Sequence, residues 1–289
     1  MRSLRLLPVL GAAALALAAC SGGAPTPEAT ASSDDSQVPA REIVLNVYAA
    51  ASLTETFGEL ETDFEAANPE VDVRINYAGS QDLVTQLGEG ADVDVLATAN
   101  NSTMKDAVDQ KLVGDQTEFA TNVLTLIVPK GNPKKITGLD SSLDGANLVI
   151  CAPEVPCGEA TKKLAEAQGI TLNPVSEEQK VTDVRGKVES GEADAGVVYK
   201  TDAVAAKDKV DEVTIDNKGV VNYYPIAQTA KPSNPEAAQV FIKAITSNSG
   251  QEILAKHGFG KPGSTTAGAS AGASAAGSAA ASAGASSEA

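Results

Sequence analysis

The chain has 289 residues, 43% of them apolar and 21% charged, and a formal net charge of −16. A field of that sign repels nucleic acid and other large polyanions but leaves room for a small anion held by local dipoles. A single histidine, His257 near the end of the folded part, argues against a Ser-His-Asp triad and against a multi-histidine metal site; His257 reads as a helix C-terminal residue facing water.

At the start of the chain, Arg2 and Arg5 introduce an apolar run from Leu6 to Ala19 that ends in Leu17-Ala18-Ala19-Cys20. The run is shorter than the roughly 20 apolar residues that cross a bilayer. Residues 1–19 have the layout of an export signal. A cysteine directly after two small residues is the bacterial lipoprotein pattern. The expectation is an extracytoplasmic protein, anchored by lipid on Cys20 to the outer face of the cell membrane and touching the membrane through that anchor only. Loss of Arg2 and Arg5 with the signal takes the charge from −16 to −18. Residues 20–40 are rich in Ser, Pro, Thr, Ala and Asp and read as a disordered linker. Residues 262–289, almost wholly Gly, Ala and Ser, read as a disordered tail. Residues 41–261 remain as the folded part.

Strand-like and helix-like segments alternate through that part. Ile43 to Tyr48 is predicted as a strand. Leu53, Phe57, Leu60 and Phe64 recur at helical spacing, ending before Asn68-Pro69. Val71 to Tyr77 is a second strand, Leu83, Val84 and Leu87 a short helix closed by Gly88, and Asp94 to Thr98 a third strand before a helix with Met104, Ala107 and Val108. This is the grammar of a doubly wound parallel sheet. A second unit opens with strand Val123 to Val128. It continues through strand Leu148 to Cys151, helix Gly158 to Gln168, a helix marked by Val181, Val184 and Val188, and strand Ala195 to Tyr199, with Val213 to Ile215 as a further candidate. Strand Tyr224 to Gln228 and helices around Ala237–Ile245 and Gln251–Lys256 finish the chain. The fold class is therefore α/β and bilobal, with a cleft between two doubly wound lobes. No internal repeat shows at a fixed period.

Lipid on Cys20 leaves Cys151 and Cys157 as an even pair in an oxidising compartment, flanking Ala-Pro-Glu-Val-Pro, whose prolines favour a turn. A Cys151–Cys157 disulfide is predicted, against free thiols or half of a metal site. Four strand-to-helix junctions place small or hydroxyl residues where ligands bind in open α/β sheets. They are Ala49-Ala50-Ala51-Ser52-Leu53-Thr54, Tyr77-Ala78-Gly79-Ser80, Pro156-Cys157-Gly158 and Val181-Thr182-Asp183-Val184-Arg185. Helix starts carry unpaired N–H donors and partial positive charge, and so attract anions. Any single hydroxyl is better explained as a helix cap, with Ser52 a natural one; four junctions around one cleft are more informative.

These segments, with Gly196-Val197-Val198-Tyr199, resemble in order the motifs of the periplasmic molybdate-binding proteins of ABC importers, over about Ile43 to Phe259. The resemblance implies a type II periplasmic-binding-protein fold with two hinge crossings, near Asn122 and Ile226. Lobe 1 is then residues 41–121 plus 227–261, and lobe 2 residues 122–226. It implies an oxyanion held without charged side chains, by the hydroxyls of Ser52 and Ser80, the backbone N–H groups of Cys157 and Val184, and the hydroxyl of Tyr199. At the Cys157 position the family often has alanine, and the contact there is through the backbone. Arg185 is read as pointing away from the ion or supporting its loop, and Asp183 as an acid at a helix start. A fully deprotonated tetrahedral dianion offers only acceptors, so a donor-only site suits it.

The resulting expectation is a monomeric receptor that captures molybdate, and also tungstate, and delivers it to an ABC importer permease. It has no catalytic residue, no cofactor and no direct metal ligand, and no nucleic acid partner. One rival within the class is a receptor for sulfate or another oxyanion. A second is a ferric receptor using Tyr223 and Tyr224, weighed against cross-strand packing of the two tyrosines. A serine esterase is disfavoured by the lack of a nucleophile elbow and of a well-placed histidine.

Overall fold

The computed structural model describes residues 43–263. The export signal, Cys20, the linker as far as Ala40 and the tail beyond residue 263 lie outside the described residues.

Strand β1 (Ile43–Ala50) buries Leu45, Val47 and Ala49 completely, the alternation of a strand with one face on a core. A three-residue 3₁₀ turn, Ala51–Leu53, leads into α1 (Thr54–Ala67). That helix buries Phe57, Leu60 and Phe64 and stops at Asn68, whose backbone N–H and side-chain amide both donate to the Phe64 carbonyl. Pro69 then blocks continuation. Next come β2 (Val71–Ala78), α2 (Ser80–Gly88), β3 (Val95–Ala97) and α3 (Asn101–Asp109). The chain passes along β4 (Val113–Asn122) into β5 (Leu124–Pro129), then β6 (Leu148–Cys151), α4 (Pro156–Gln168), β7 (Ser176–Glu178), α5 (Val181–Glu189), β8 (Ala195–Tyr199), α6 (Lys200–Ala205) and β9 (Val210–Val213). It returns through β10 (Asn222–Thr229) and closes with α7 (Pro235–Thr246) and α8 (Asn248–Lys256).

Two five-stranded sheets result, in the orders β2-β1-β3-β10-β4 and β7-β6-β8-β5-β9. In each, three parallel strands meet one antiparallel strand, β10 or β5, and an edge strand pairs beyond it. The sheets are thus mixed, where the helix–strand alternation alone suggested purely parallel ones. They also share one arrangement, a repeat of topology with no counterpart in the residue pattern. The bilobal α/β class stands.

One boundary is corrected. The second crossing is not near Ile226, which is fully buried and paired with both Ala97 and Thr117 in the first sheet. The chain re-enters lobe 1 at Asn222, so residues 222–226 belong to lobe 1, and the crossing is the segment between β9 and β10. Strands β4 and β7 and helix α6 have no counterpart among the sequence expectations. The first half of β4 is polar and exposed, and β7 is Ser-Glu-Glu on an edge, so neither carries an apolar alternation.

The two cores differ in kind. All five phenylalanines of the chain join Tyr224 in one connected aromatic cluster in lobe 1: Phe57 touches Phe119 and Phe241, Phe64 touches Phe241, and Tyr224 touches Phe119 and Phe259, with centroids 5.1–6.2 Å apart. Lobe 2 packs Val, Leu, Ile and Ala around Leu126, Leu164, Val184 and Val197. Tyr199 of lobe 2 lies against Tyr224 at 6.0 Å, so the aromatic cluster continues across the crossing. His257 does cap the end of α8, but its Nε2 lies 2.8 Å from Glu59 Oε2 rather than facing water alone.

Candidate ligand-binding site between the lobes

The carboxyl ends of the parallel strands of both sheets meet at one small cavity. From lobe 1 it is lined by Ala50, Ala51 and Ser52 after β1, by Ala78, Gly79 and Ser80 after β2, and by Ala99 after β3. From lobe 2 the lining is Val155, Pro156 and Cys157 at the start of α4, Lys180 and Val181 at the start of α5, and Tyr199 at the end of β8. The centre of a water-sized sphere has about 10 Å³ in which to move, a volume on the scale of one water or one compact ion. No carboxylate is among these residues. Lys180, the one cation, has its ammonium 3.6 Å from Asp183.

Local sequence accounts for this convergence. Gly79 lets β2 turn into α2 against lobe 2, because a Cβ there would sit 2.5 Å from the Gln179 carbonyl oxygen. Gly158 lets the first turn of α4 lie on the preceding loop, since a Cβ would come within 1.8 Å of the Ala152 carbonyl oxygen. The predicted Cys151–Cys157 disulfide is present, with Cα atoms 5.7 Å apart, and ties the end of β6 to the start of α4. Pro156 occupies the first helical position, where a missing N–H costs nothing, and Cys157 follows it at the cavity.

Four of the five residues singled out from sequence, Ser52, Ser80, Cys157 and Tyr199, line this cavity, and each is at most 5% exposed. The fifth does not. Val184 lies one turn inside α5, fully buried, with its methyl where a Cβ on Gly196 of β8 would collide. The residue that α5 presents is Val181, at its first position, where backbone N–H groups have no intrahelical acceptor. The valines recur at 181, 184 and 188, and only packing distinguishes the one at the cavity.

The capping reading of the serines is also corrected. Ser52 lies within the 3₁₀ turn, and the residue that caps α1 is Leu53; its hydroxyl is 3.0 Å from the hydroxyl of Tyr224. Ser80 is the first residue of α2, after the cap residue Gly79, and its Oγ accepts from the Ala99 N–H at 3.1 Å. The Tyr199 hydroxyl accepts from Asn222 Nδ2 at 2.9 Å. Burial first, then the neighbouring Tyr224 and Asp202, push the Tyr199 phenol well above its ordinary range. It is therefore a protonated donor at any physiological pH.

Residues outside the sequence expectations support this layer. Asp202 is buried, accepts from the Tyr199 N–H at 3.1 Å, and is pushed up to about 7 by burial, with Arg185 opposing the shift. Arg185 is not among the residues that line the cavity. Its guanidinium bridges Glu55 of lobe 1 at 2.7 Å, Glu189 at 3.2 Å and Asp202 at 3.7 Å. Asp183 lies in the first turn of α5, as an acid at a helix start should. Glu159 of α4 accepts from Asn100 and Ser102 of lobe 1, both at 2.6 Å, and Gln81 of α2 donates to the Gln179 carbonyl at 3.2 Å. Polar contacts thus bridge the cleft on several sides. Asp202, Glu159 and Gln81 are single polar residues on helices, and such residues add nothing to an apolar periodicity, which is why the sequence alone did not single them out.

Tyr223 and Tyr224 do not form a pair. Successive residues of a strand face opposite ways, and Tyr224 is sealed in the aromatic cluster while Tyr223 lines an outer groove with Glu159 and Lys163. The two phenols cannot close on one ferric ion.

Comparison with known proteins agrees with this arrangement. The chain matches the family model described as bacterial extracellular solute-binding protein over residues 45–260. It is 46% identical over 226 residues to the molybdate-binding protein ModA of Mycobacterium tuberculosis, covering 77% of this chain and 86% of that one. It is 32% identical over 230 residues to ModA of Escherichia coli, covering 74% and 88%. Among solved structures, the periplasmic molybdate-binding protein of Azotobacter vinelandii superposes with a TM-score of 0.67 at 18% identity, covering 75% of this chain and 99% of that one, a likeness of fold. Two lobes of matching topology, closed over a small cavity at their strand ends, make this chain a member of the bacterial extracellular solute-binding protein family.

Proposed function

We propose that the chain is the molybdate receptor of an ABC importer, taking up tungstate as well. The observation that carries this reading is a small cavity between the lobes, lined by Ser52, Ser80, Tyr199 and the starts of α4 and α5, with no carboxylate among its lining residues. In it the ion is held by the hydroxyls of Ser52, Ser80 and Tyr199 and by the backbone N–H groups of Cys157 and Val184, with Val181 lining the cavity at the same helix start. Neutral dipoles offset the charge of a dianion without the burial of a lysine or arginine beside it. The relatives named for molybdate support the choice of ion. The receptor works as a monomer without catalysis. It hands its ion to a membrane permease while tethered through lipid on Cys20, a reading supported by the sequence pattern at residues 1–20.

The test is a thermal-shift and calorimetric panel of molybdate, tungstate, sulfate, phosphate and ferric citrate on the soluble chain. A ligand that binds only the folded state raises the melting temperature by mass action. Molybdate and tungstate are expected to give the large shifts, and sulfate a small one or none. A dominant response to sulfate would reassign the receptor within its class, and a response to none of the oxyanions would overturn the reading.

A further inference from the structure

An O–H group can donate to an ion or accept from it, so three hydroxyls do not by themselves make a donor-only site. What decides is where each oxygen receives its own hydrogen bond. The Ser80 oxygen takes the Ala99 N–H at 3.1 Å. The Tyr199 oxygen takes Asn222 Nδ2 at 2.9 Å. The orientation of that amide is fixed by chemistry, because the same nitrogen faces the carbonyl oxygens of Ala99 at 2.9 Å and Pro156 at 3.4 Å. An amide oxygen in that place would meet two other acceptors. Ser52 is served by a relay: Asn122 Nδ2 lies 3.4 Å from the Tyr224 hydroxyl, which is 3.0 Å from Ser52 Oγ. The Asn122 amide is oriented too, since its Oδ1 accepts from the Val123 N–H at 3.0 Å and its nitrogen also donates to Thr201 Oγ1 at 2.9 Å. Asn122 and Asn222 are register partners on β4 and β10, at the point where both strands leave lobe 1, and both are buried.

We propose that Asn222 and Asn122 are positioning residues that fix the direction of the cavity's hydroxyl protons. Each amide donates into a hydroxyl oxygen, directly at Tyr199 and through Tyr224 at Ser52, and the displaced proton faces the cavity. The site then admits an oxyanion that carries no proton and rejects one that must donate. Selectivity between oxyanions of similar size is thus set at the strand crossing rather than by the groups that touch the ion. The rival acceptor for the Tyr199 proton is the neighbouring Tyr224 phenol, whose own oxygen is already served by Asn122. This inference rests on the proposed reading of the cavity as an oxyanion site.

The test substitutes Asn222→Asp, which exchanges the donor at Tyr199 for an acceptor at nearly constant shape. Molybdate and hydrogen phosphate are titrated calorimetrically against wild type and variant at neutral pH. Molybdate affinity is expected to fall by about tenfold or more, while phosphate affinity holds or rises, because the Tyr199 oxygen then faces the cavity. Added negative charge alone, or damaged packing alone, would weaken both ions together; an equal loss for both, or no loss for molybdate, overturns the proposal. A wild type that binds neither oxyanion would instead sink the reading beneath it. Neutron diffraction from deuterated, molybdate-loaded wild-type crystals tests the same point without a variant. Deuterium on Tyr199 Oη is expected toward the ion, and deuterium directed at Tyr224 or Asn222 overturns the proposal.

Discussion

Replacing Tyr199 with phenylalanine separates binding from folding more cleanly than any other change at this cavity. The hydroxyl accepts from Asn222 Nδ2, so its removal would orphan a buried donor if that were the only bond there. It is not: the same nitrogen keeps the Ala99 carbonyl at 2.9 Å and gains a freer approach to the Pro156 carbonyl at 3.4 Å. The ring keeps its edge contact with Tyr224 at 6.0 Å, and the N–H that Asp202 accepts is backbone, unaffected by the substitution. The ligand-free melting temperature of Tyr199→Phe is therefore expected to stay within a degree or two of wild type. In the loaded state the variant lacks one hydrogen bond to a charged ion, worth about 1.5–3 kcal/mol, or roughly ten- to a hundredfold in Kd. Isothermal titration with molybdate reads this directly. A Kd within twofold of wild type would remove Tyr199 from the ion's contacts. A large drop in ligand-free stability would show that the hydroxyl serves the fold instead.

Other outcomes follow from the same geometry. Asp202 is raised from an ordinary 3.8 to about 7, burial outweighing Arg185, so the folded state holds its proton where the unfolded chain has lost it. That contribution is complete below about pH 3.8 and is lost as pH rises through about 7. Melting temperature against pH should accordingly fall across that window for wild type relative to Asp202→Asn, and parallel curves would refute the assignment. Reduction of Cys151–Cys157, which closes a loop with a sequence separation of 6, is expected to cost about 2 kcal/mol and to weaken molybdate binding, because Cys157 lines the cavity. Melts and titrations with and without reductant check both effects. Thiol titration of the unfolded, unreduced soluble chain should find neither cysteine free.

The alternation of apolar strands with amphipathic helices is a local property, and it sufficed to place most elements and the bilobal α/β class. The hydroxyl-bearing junctions were likewise legible, because strand ends followed by helix starts are where such a fold gathers ligands; the cysteines were legible as an even pair, and Tyr199 through the resemblance to the molybdate-binding family. What the sequence could not carry is whatever depends on partners distant in the chain. Polar β4 is a strand because β10 lies beside it. Ile226 is interior to lobe 1, and not a hinge, because it pairs on both sides. Val181 lines the cavity while the Val184 side chain packs against Gly196. Ser52 lies inside the 3₁₀ turn, its hydroxyl paired with that of Tyr224, 172 residues on, rather than capping α1. Backbone preference and burial periodicity act over a few residues, whereas the direction of a hydroxyl proton is set by whichever donor packing brings within 3 Å.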